Sequence, residues 1–399
     1  MIILGIETSC DDTALALIET RGSGESFECR VINSLVHSQA DLHTTYGGVY
    51  PALAKREHGK NIIPLLKKLL EESRLPLRGQ TSEGKPLHEE IVETFRADVT
   101  SQNAELFEAL VQAQFLKNIP SIDRIAVTEG PGLEPALWVG ISFTRILSAL
   151  WNIPVAPINH MEGHIVGSLL NSETPHGTWQ KLQESRFPAL ALLISGGHTE
   201  LIHIQGIGNY SIIGQTKDDA VGEAFDKTAR LLGLPYPGGP HISRLAQEAR
   251  EENIPSPTPL PRPMIGSNDL NFSFSGLKTA VLYAVRKAEE TGPLTEQFKK
   301  GLAREFEEAV RETLISKIKA ALDTIEVHTL IVGGGVSANT YLTTHISKLA
   351  EEYSIPVLLP SRHVSGDNAL MIALAGAFQT TTKTPGEIRA HGTKKLGFN

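Results

Sequence analysis

The feature that most constrains the fold is a pattern that occurs twice along the chain. A short apolar run, a turn of small polar residues and a second apolar run occur at 2–18 and again at 190–204. A strand-like run, a Gly-x-Gly turn and a helix-like segment occur at 125–151 and again at 330–349. Short apolar runs bounded by turn residues are typical of buried strands. The order therefore predicts two α/β lobes of common plan that face each other, with a cleft between them in which a nucleotide would lie.

The length of the chain also favours two lobes, because 399 residues exceed what one ordinary domain needs. We predict a first lobe over 1–159 and a second over 160–378 that carries the metal and nucleotide sites. The tail 379–399 is expected to pack back on the first lobe. Residues 76–103 are polar and poor in apolar side chains, which indicates an insertion in the first lobe.

The composition excludes several classes of protein. A net charge of -8 argues against coating nucleic acid through bulk electrostatics. Two cysteines form neither a disulfide framework nor a cysteine-based zinc site. The first residues lack the basic and long apolar regions of a signal peptide, and no stretch approaches the roughly 20 apolar residues of a membrane span. We therefore expect a soluble, cytoplasmic protein with no membrane contact.

Two glycine-rich turns follow strand-like runs and could bind phosphate. Ser195, Gly196 and Gly197 follow a buried run, and the three glycines at 333–335 open onto a helix-like segment. Glycine lets the backbone approach a ligand closely, and a helix N-terminus favours anions. The P-loop and Rossmann motifs are both absent from the sequence, which argues against those two nucleotide-binding classes.

Three acidic residues have competing interpretations. Asp11 and Asp12 stand on the first polar turn, where they could face a magnesium–phosphate group or orient a nucleophile, or form an Asx turn. Asp226 lies in a helix-like stretch, where an isolated carboxylate is usually only solvated. The segment that follows at 235–240 contains prolines and glycines and is predicted to be a loop.

A pair of histidines, His160 and His164, suggests a metal site. On a helix, residues four apart present their side chains on one side, so the two imidazoles could bind one divalent ion. Glu162 stands between them, about 200° round the helix from His160, so it cannot serve as the base of a zinc peptidase. Asp367 is a candidate third ligand, although its local sequence favours a helix N-cap.

Eight motifs occur in a fixed order along the chain. They are GIETSCDD at 5–12, NHMEGH at 159–164, SGGHT at 195–199, GEAFDK at 222–227, YPGG at 236–239, FSGLK at 274–278, GGVSAN at 334–339 and GDNA at 366–369. These motifs resemble those of the Kae1/TsaD/Qri7 family, whose bacterial TsaD-type members are tRNA N6-adenosine threonylcarbamoyltransferases, once described as O-sialoglycoprotein endopeptidases. The resemblance covers nearly the whole chain.

The resemblance implies a duplicated α/β fold of the actin/Hsp70/sugar-kinase type. It also implies transfer of the L-threonylcarbamoyl group from threonylcarbamoyl-AMP to N6 of adenosine 37, in tRNAs that read codons starting with A. By the motif match, a divalent metal, iron(II) with zinc(II) as the alternative, would be bound by His160, His164 and Asp367. Threonylcarbamoyl-AMP or ATP would be bound by Leu193, Ile194, Ser195, Gly196, Gly197, Asp226, Gly239 and Asn339.

The resemblance also implies partners: tRNA, a paralogous actin-like protein (TsaB-like), a small P-loop ATPase (TsaE-like) and a separate synthase that supplies threonylcarbamoyl-AMP. No motif identifies a general base, and Asp11 is our candidate. Ser243 stands where some relatives carry an acidic residue, which would alter a ribose contact. The alternatives are an ATP-hydrolysing or phosphotransferring enzyme on the same fold, a metallopeptidase, and a non-catalytic paralogue.

Overall fold

The computed structural model describes residues 1–80, 93–96, 99, 103–171, 174–183, 185–360 and 364–397. The chain divides into two compact units. The first comprises Met1–Ala40, Val49–Gln183 and Gly366–Asn399, and the second comprises Asp41–Gly48 and Glu184–Ser365.

This division differs from the predicted lobes in three places. Residues 41–48 belong to the second unit and not to the first, and residues 160–183 and 366–378 belong to the first unit and not to the second. The physical reason is that the apolar helix Ala369–Phe378 packs on the strands and the histidine-bearing helix of the first unit. Of the predicted insertion at 76–103, residues 81–92, 97, 98 and 100–102 lie outside the described residues, and Leu77–Gln80 form a short strand.

The first unit contains a six-stranded sheet. Its strands are β1 (Ile2–Glu7), β2 (Asp12–Arg21), β3 (Glu28–Ser38), β6 (Arg124–Gly130), β7 (Val155–Asn159) and β8 (Gln180–Lys181), while β4 (Leu77–Gln80) and β5 (Asn118–Pro120) form a separate pair. Strands β1, β2 and β3 form an antiparallel meander, β6 runs parallel to β1, and β7 runs parallel to β6. The resulting order is β7-β6-β1-β2-β3-β8.

The second unit repeats this plan. Its strands are β9 (Ala189–Ile194), β10 (Thr199–Gly206), β11 (Asn209–Gln215), β12 (Thr329–Gly333) and β13 (Val357–Leu358). Strands β9, β10 and β11 form the antiparallel meander, β12 runs parallel to β9, and β13 runs parallel to β12. Two sheets with one connectivity confirm the predicted duplicated α/β fold.

Eleven α-helices are found among the described residues. They are α1 (Ala40–Thr44), α2 (Pro51–Ser73), α3 (Ala104–Gln112), α4 (Glu134–Trp151), α5 (His160–Gly167), α6 (Val221–Leu231), α7 (Gly238–Glu251), α8 (Ser275–Glu289), α9 (Glu296–Leu322), α10 (Thr340–Glu352) and α11 (Ala369–Phe378). In this part of the chain, no helix combines the length and the apolar character that a membrane span requires.

Each unit has its own core. In the first unit, apolar residues of β1 and β2 pack with those of α2 and α4. Helix α11 contacts β1 and β2 as well, and its residues 369–376 are all buried, which explains why it is apolar on every side. Gly5 of β1 permits this contact, because a Cβ atom there would lie 2.2 Å from the carbonyl oxygen of Ala369.

The structure also corrects one local prediction. Residues 235–240 were predicted to be a loop, but helix α7 begins at Gly238 within that stretch. A start at two glycines and a proline gives little helical signal in the sequence. The helix is instead stabilised by packing, because Ile242, Leu245 and Ala246 are buried in the core of the second unit.

Candidate metal centre and nucleotide-binding turns

The two histidines lie in the first helical turns after β7, where the side chain of Asn159 caps helix α5. Its Oδ1 accepts hydrogen bonds from the backbone N–H groups of Met161 at 2.9 Å and Glu162 at 3.4 Å. The helix places the imidazoles of His160 and His164 side by side, with ring centroids 4.7 Å apart and planes at 84°. Both side chains are buried.

Asp367 approaches both histidines from the segment that leads into α11. Its Oδ1 lies 3.4 Å from Nε2 of His160 and 3.3 Å from Nε2 of His164. The cap of α11 is made by the next residue, because Asn368 Oδ1 accepts from the N–H of Met371 at 3.0 Å. Asp367 is therefore not the N-cap that its local sequence favoured, and its carboxylate faces the imidazoles.

Two glycines of α5 allow this convergence. A Cβ atom on Gly163 would lie 2.9 Å from Cδ1 of Ile372 and 3.2 Å from Cγ of Met371, and one on Gly167 would lie 2.9 Å from Cβ of Met371. Their lack of side chains lets α5 and α11 pack closely. Gly163, which weakens the helix by propensity, thus brings Asp367 near the histidine pair.

The three side chains fit a metal ion. One ligand atom from each of His160, His164 and Asp367 can be chosen so that all lie within 4.8 Å of one another. Nε2 of His164 is buried and makes no hydrogen bond, although it faces the carboxylate of Asp367. Buried polar atoms are normally paired, so an unpaired imidazole nitrogen at this position suits a ligand of a cation.

A further layer of polar groups orients His160. Nδ1 of His160 lies 3.2 Å from Oε2 of Glu7 and 3.3 Å from Oγ of Ser9. The carboxylate of Glu7 is fully buried and also accepts hydrogen bonds from the Ser9 N–H and the Thr128 hydroxyl. A carboxylate at Nδ1 holds the proton there and leaves Nε2 available to a metal. No role was predicted for Glu7, although a glutamate at the end of a buried strand is a usable signal in the sequence.

The electrostatics of the cluster favour a positive charge. Burial lowers the pKa of His160, but the carboxylates of Asp367 and Glu7 outweigh burial and raise that pKa to about 10. Burial lowers the pKa of His164, and the nearby His160 lowers it further. Burial would raise the pKa of Asp367, but the two imidazoles hold it well below its usual range. A divalent cation would satisfy the same carboxylates.

The β1–β2 turn carries the other acidic candidates. Asp12 is half-buried, and its buried Oδ1 atom makes no hydrogen bond. Burial, followed by the charges of Asp367, Asp11 and Glu7, raises the pKa of Asp12 to about 7, against a lowering by a hydrogen bond with Ser38. Asp11 is half-buried on the same turn. Its assignment as general base stays a prediction, and Asp12 becomes a second candidate.

Glu162 lies within helix α5, and this position argues against a peptidase. Because α5 is helical from its first residue, Glu162 is about 200° round the axis from His160. Among the described residues, the group of side chains that could hold a metal ion contains Asp367 and not Glu162. The geometry therefore lacks the adjacent glutamate with which a zinc peptidase activates water.

In the second unit, the turn between β9 and β10 has the open backbone expected of a ligand site. A Cβ atom on Gly196 or Gly197 would meet nothing within 4 Å, so the fold itself does not require glycine there. His198 closes the turn through its N–H, which donates to Oγ of Ser195 at 3.1 Å. The side chains of Leu193 and Ile194 are fully buried, so only their backbone could meet a ligand.

Helix α7 connects the other predicted nucleotide residues. Asp226 Oδ1 accepts a hydrogen bond from the N–H of Gly238 at 2.7 Å, so this aspartate caps α7. Gly239 follows, and a Cβ atom there would meet nothing within 4 Å. Asn339 reaches the same helix, because its Nδ2 donates to Oγ of Ser243 at 2.8 Å. The structure thus groups Asp226, Gly239 and Asn339 around one helix that the sequence did not predict.

Asn339 also belongs to a buried polar network. Its Nδ2 donates to Oε1 of Glu307 at 2.8 Å, and its Oδ1 accepts from the N–H of Leu342 at 3.0 Å, which caps α10. Glu307 is fully buried and pairs with Arg250 at 2.8 Å. The network fixes the position of Asn339 at the end of the 333–338 turn.

Comparison with known proteins gives consistent results. The family model described as "TsaD: tRNA N6-adenosine threonylcarbamoyltransferase" matches residues 30–79 and 103–374, so the gap falls within the predicted insertion. Proteins named tRNA N6-adenosine threonylcarbamoyltransferase are similar over most of the chain. The Chromobacterium violaceum protein is 40% identical over 96% of this chain and 95% of its own. The Burkholderia mallei protein is 41% identical over 95% of this chain and 92% of its own.

Solved structures match at lower similarity. Component A of the (R)-2-hydroxyglutaryl-CoA dehydratase of Acidaminococcus fermentans has 12% identity and a TM-score of 0.45, with 94% of this chain and 96% of that chain covered. Full-length HypF has 11% identity and a TM-score of 0.48, with 94% of this chain and 46% of the HypF chain covered.

Proposed function

Because the chain belongs to the TsaD family of tRNA N6-adenosine threonylcarbamoyltransferases, we propose that it transfers an L-threonylcarbamoyl group from threonylcarbamoyl-AMP to N6 of adenosine 37. The tRNAs concerned are those that read codons starting with A. The observation that carries this proposal is about 40% identity over nearly the full length of named relatives. The convergence of His160, His164 and Asp367 in the first unit supports it further.

The metal would be held by His160, His164 and Asp367, with iron(II) as the first candidate and zinc(II) as the second. Two imidazoles and one carboxylate leave coordination positions open to a substrate. When bound, such an ion supplies a Lewis acid that polarises a carbonyl oxygen. Glu7 and Ser9 would hold the ring of His160 through Nδ1, and the buried surroundings would exclude water from the cluster.

In the proposed reaction, N6 of the adenosine attacks the carbamoyl carbon of the mixed anhydride. A C–N bond forms, the C–O bond to the phosphate breaks, and AMP leaves with the bonding electron pair. The attacking amine must lose a proton, and an acceptor with a pKa near 7 is suited to this task. Asp12 meets this description through its unpaired Oδ1, and Asp11 is the alternative on the same turn.

The nucleotide part of the substrate would be bound in the second unit. Backbone N–H groups of the open turn at 195–197 suit phosphate oxygens. Asp226, Gly239 and Asn339, which lie around helix α7, are candidates for binding the ribose and adenine.

The proposed partners follow from the family. They are tRNA, a paralogous actin-like protein, a small P-loop ATPase and a synthase that supplies threonylcarbamoyl-AMP. A cytoplasmic location is proposed because the tRNA substrate and its modifying partners would meet there.

Reconstitution tests the proposed function. The full chain would be incubated with its proposed partner proteins, ATP, threonine, bicarbonate and unmodified tRNA, and the modified nucleoside would be measured by mass spectrometry. We expect product with the natural chain and a loss of more than about 100-fold with His160→Ala or Asp367→Asn. Lys348→Ala, an exposed change on α10, is the matched control. Absence of product from the natural chain, or full activity of both folded variants, would contradict the proposal.

A further inference from the structure

A cavity of about 660 Å³ in the first unit is separate from the histidine cluster and is rich in basic side chains. It lies where the C-terminal segment crosses the end of strand β6. Its charged lining residues are Lys383, His391, Lys394, Lys395, Glu129 and Glu134. We call this cavity the basic pocket.

The segment that forms the basic pocket is firmly anchored. The side chain of Ile388 is fully buried in the core, and its carbonyl accepts a hydrogen bond from the guanidinium of Arg145. The N–H of His391 donates to the carbonyl of Glu129 at 2.8 Å, and Leu396 is buried at the far end. The pocket is therefore preformed, which lowers the entropic cost of binding a ligand.

The charges of the basic pocket are not balanced internally. The carboxylate oxygens of the buried Glu129 lie 3.1 Å from Nζ of Lys383, 3.4 Å from Nζ of Lys394 and 3.4 Å from Nε2 of His391. Lys395 is exposed and forms no ion pair with any residue that the structure describes. Three lysines face two glutamates, so the pocket keeps an excess of positive charge even when His391 is neutral. On a chain with a net charge of -8, this local excess suits an anionic ligand.

Two short connections place the basic pocket beside the metal candidates. Nδ2 of Asn159 donates to the carbonyl of Lys395 at 3.3 Å, while Oδ1 of the same residue caps the helix that begins at His160. Glu129 follows Thr128, whose hydroxyl donates to the carboxylate of Glu7, the neighbour of His160. A ligand in the pocket would thus be held in a fixed relation to the histidine cluster.

We propose that the basic pocket binds a phosphate group of the tRNA backbone and so positions the strand that carries the target adenosine. This inference rests on the proposed function and adds a binding site to it. Phosphate contacts from lysine fix the register of a nucleic acid without reading its sequence, which is what an enzyme acting on several tRNAs needs. The exposed side chains of Lys395 and His391 leave the pocket accessible to a polymer.

The test uses Lys395→Glu and Lys395→Ala, because this side chain makes no internal ion pair in the described structure and its loss should not unfold the protein. Lys348→Ala is the matched control. In the reconstituted reaction, we expect KM for tRNA to rise roughly fivefold or more for Lys395→Glu, with kcat retained at saturating tRNA. The dependence of log Kd for tRNA on log salt concentration should lose a slope of about 1 with Lys395→Ala. Lys348→Ala should change neither quantity.

Unchanged KM and salt slope in both Lys395 variants would overturn the inference, while product formation by the natural chain would still support the proposed function. Inorganic phosphate would be titrated against the natural chain in parallel. If it binds, and binding is lost in Lys395→Glu without any change in KM for tRNA, the pocket is a free-anion site and the inference also fails. If the natural chain forms no product, the function fails separately, and the tRNA-binding slopes still decide the inference.

Discussion

Oε2 of Glu7 lies 3.2 Å from Nδ1 of His160, and this contact joins the first strand of the chain to the helix that carries two candidate metal ligands. Glu7 is fully buried and also binds Ser9 and Thr128. The contact fixes the ring of His160 so that Nε2 faces Asp367. The first motif of the sequence therefore contacts the candidate metal ligands through a hydrogen bond that spacing along the chain does not reveal.

Glu7→Gln should weaken metal binding without unfolding the protein. The amide oxygen can still accept a hydrogen bond, but the negative charge that supports His160 is lost. We expect a 10- to 100-fold lower affinity for zinc(II), the loss typical of changes to groups behind a metal ligand. Titration with a chromophoric competitor measures it. Glu162→Gln on the same helix is the control and should keep the natural affinity. An equal affinity in Glu7→Gln would contradict the assigned role.

Metal affinity should rise with pH. In the metal-free protein, burial and the carboxylates of Asp367 and Glu7 together leave the pKa of His160 at about 10, so a proton must leave before Nε2 can bind an ion. The apparent Kd for zinc(II) should therefore fall by up to about tenfold per pH unit between pH 6 and pH 8. Competitive titration at three pH values tests this. A Kd independent of pH would show that His160 is not a ligand.

Asp12 should make the metal-free protein less stable at higher pH. Burial raises its folded pKa to about 7, above the unfolded value near 3.8, so the folded state holds the extra proton between these values. The free energy of unfolding should fall as pH rises from about 4 to about 7. Asp12→Asn should remove this fall and be more stable at pH 8, by roughly 2 to 4 kcal/mol.

Urea unfolding of the chelator-treated protein at pH 5 and pH 8 measures this difference. The natural chain should lose stability between the two pH values more steeply than Asp12→Asn does. If the two proteins show the same pH dependence, Asp12 is ionised in the folded state and is the poorer candidate for the proton acceptor. The same variant in the reconstituted reaction, beside Asp11→Asn, then identifies which carboxylate the reaction needs.

Gly5→Ala should disturb the candidate metal ligands from a distance. The new methyl group would lie 2.2 Å from the carbonyl oxygen of Ala369, so α11 must shift near Asp367. Overpacking of this kind costs about 1 to 3 kcal/mol or more. We expect a lower melting temperature together with weaker zinc(II) binding. Gly266→Ala is the control, because a Cβ atom there meets nothing within 4 Å. A stable Gly5→Ala protein with natural affinity would contradict the close packing.

Much of the fold could be predicted from the sequence alone. Buried strands β1 and β9 are continuous apolar runs, and this signal comes from burial on both faces of a sheet. Strand β3 was not predicted, because its seven residues from Ile32 onwards are only partly buried or exposed and give no clear alternation. Helix α7 was missed because its glycine–glycine–proline start is a weak helical signal that tertiary packing overrides.

The sequence by itself determined the duplicated plan and the histidine pair, since both depend on local periodicity: apolar runs bounded by turns, and imidazoles four residues apart. It also named Asp367 as a candidate, with an N-cap as the competing role. Only the tertiary structure decided between them, because the close packing of α11 on α5 at Gly163 brings the carboxylate to both imidazoles. The basic pocket likewise exists only in the folded chain, where an anchored C-terminal segment gathers its lysines around Glu129. Such contacts depend on side-chain shape over long separations, which no local pattern encodes.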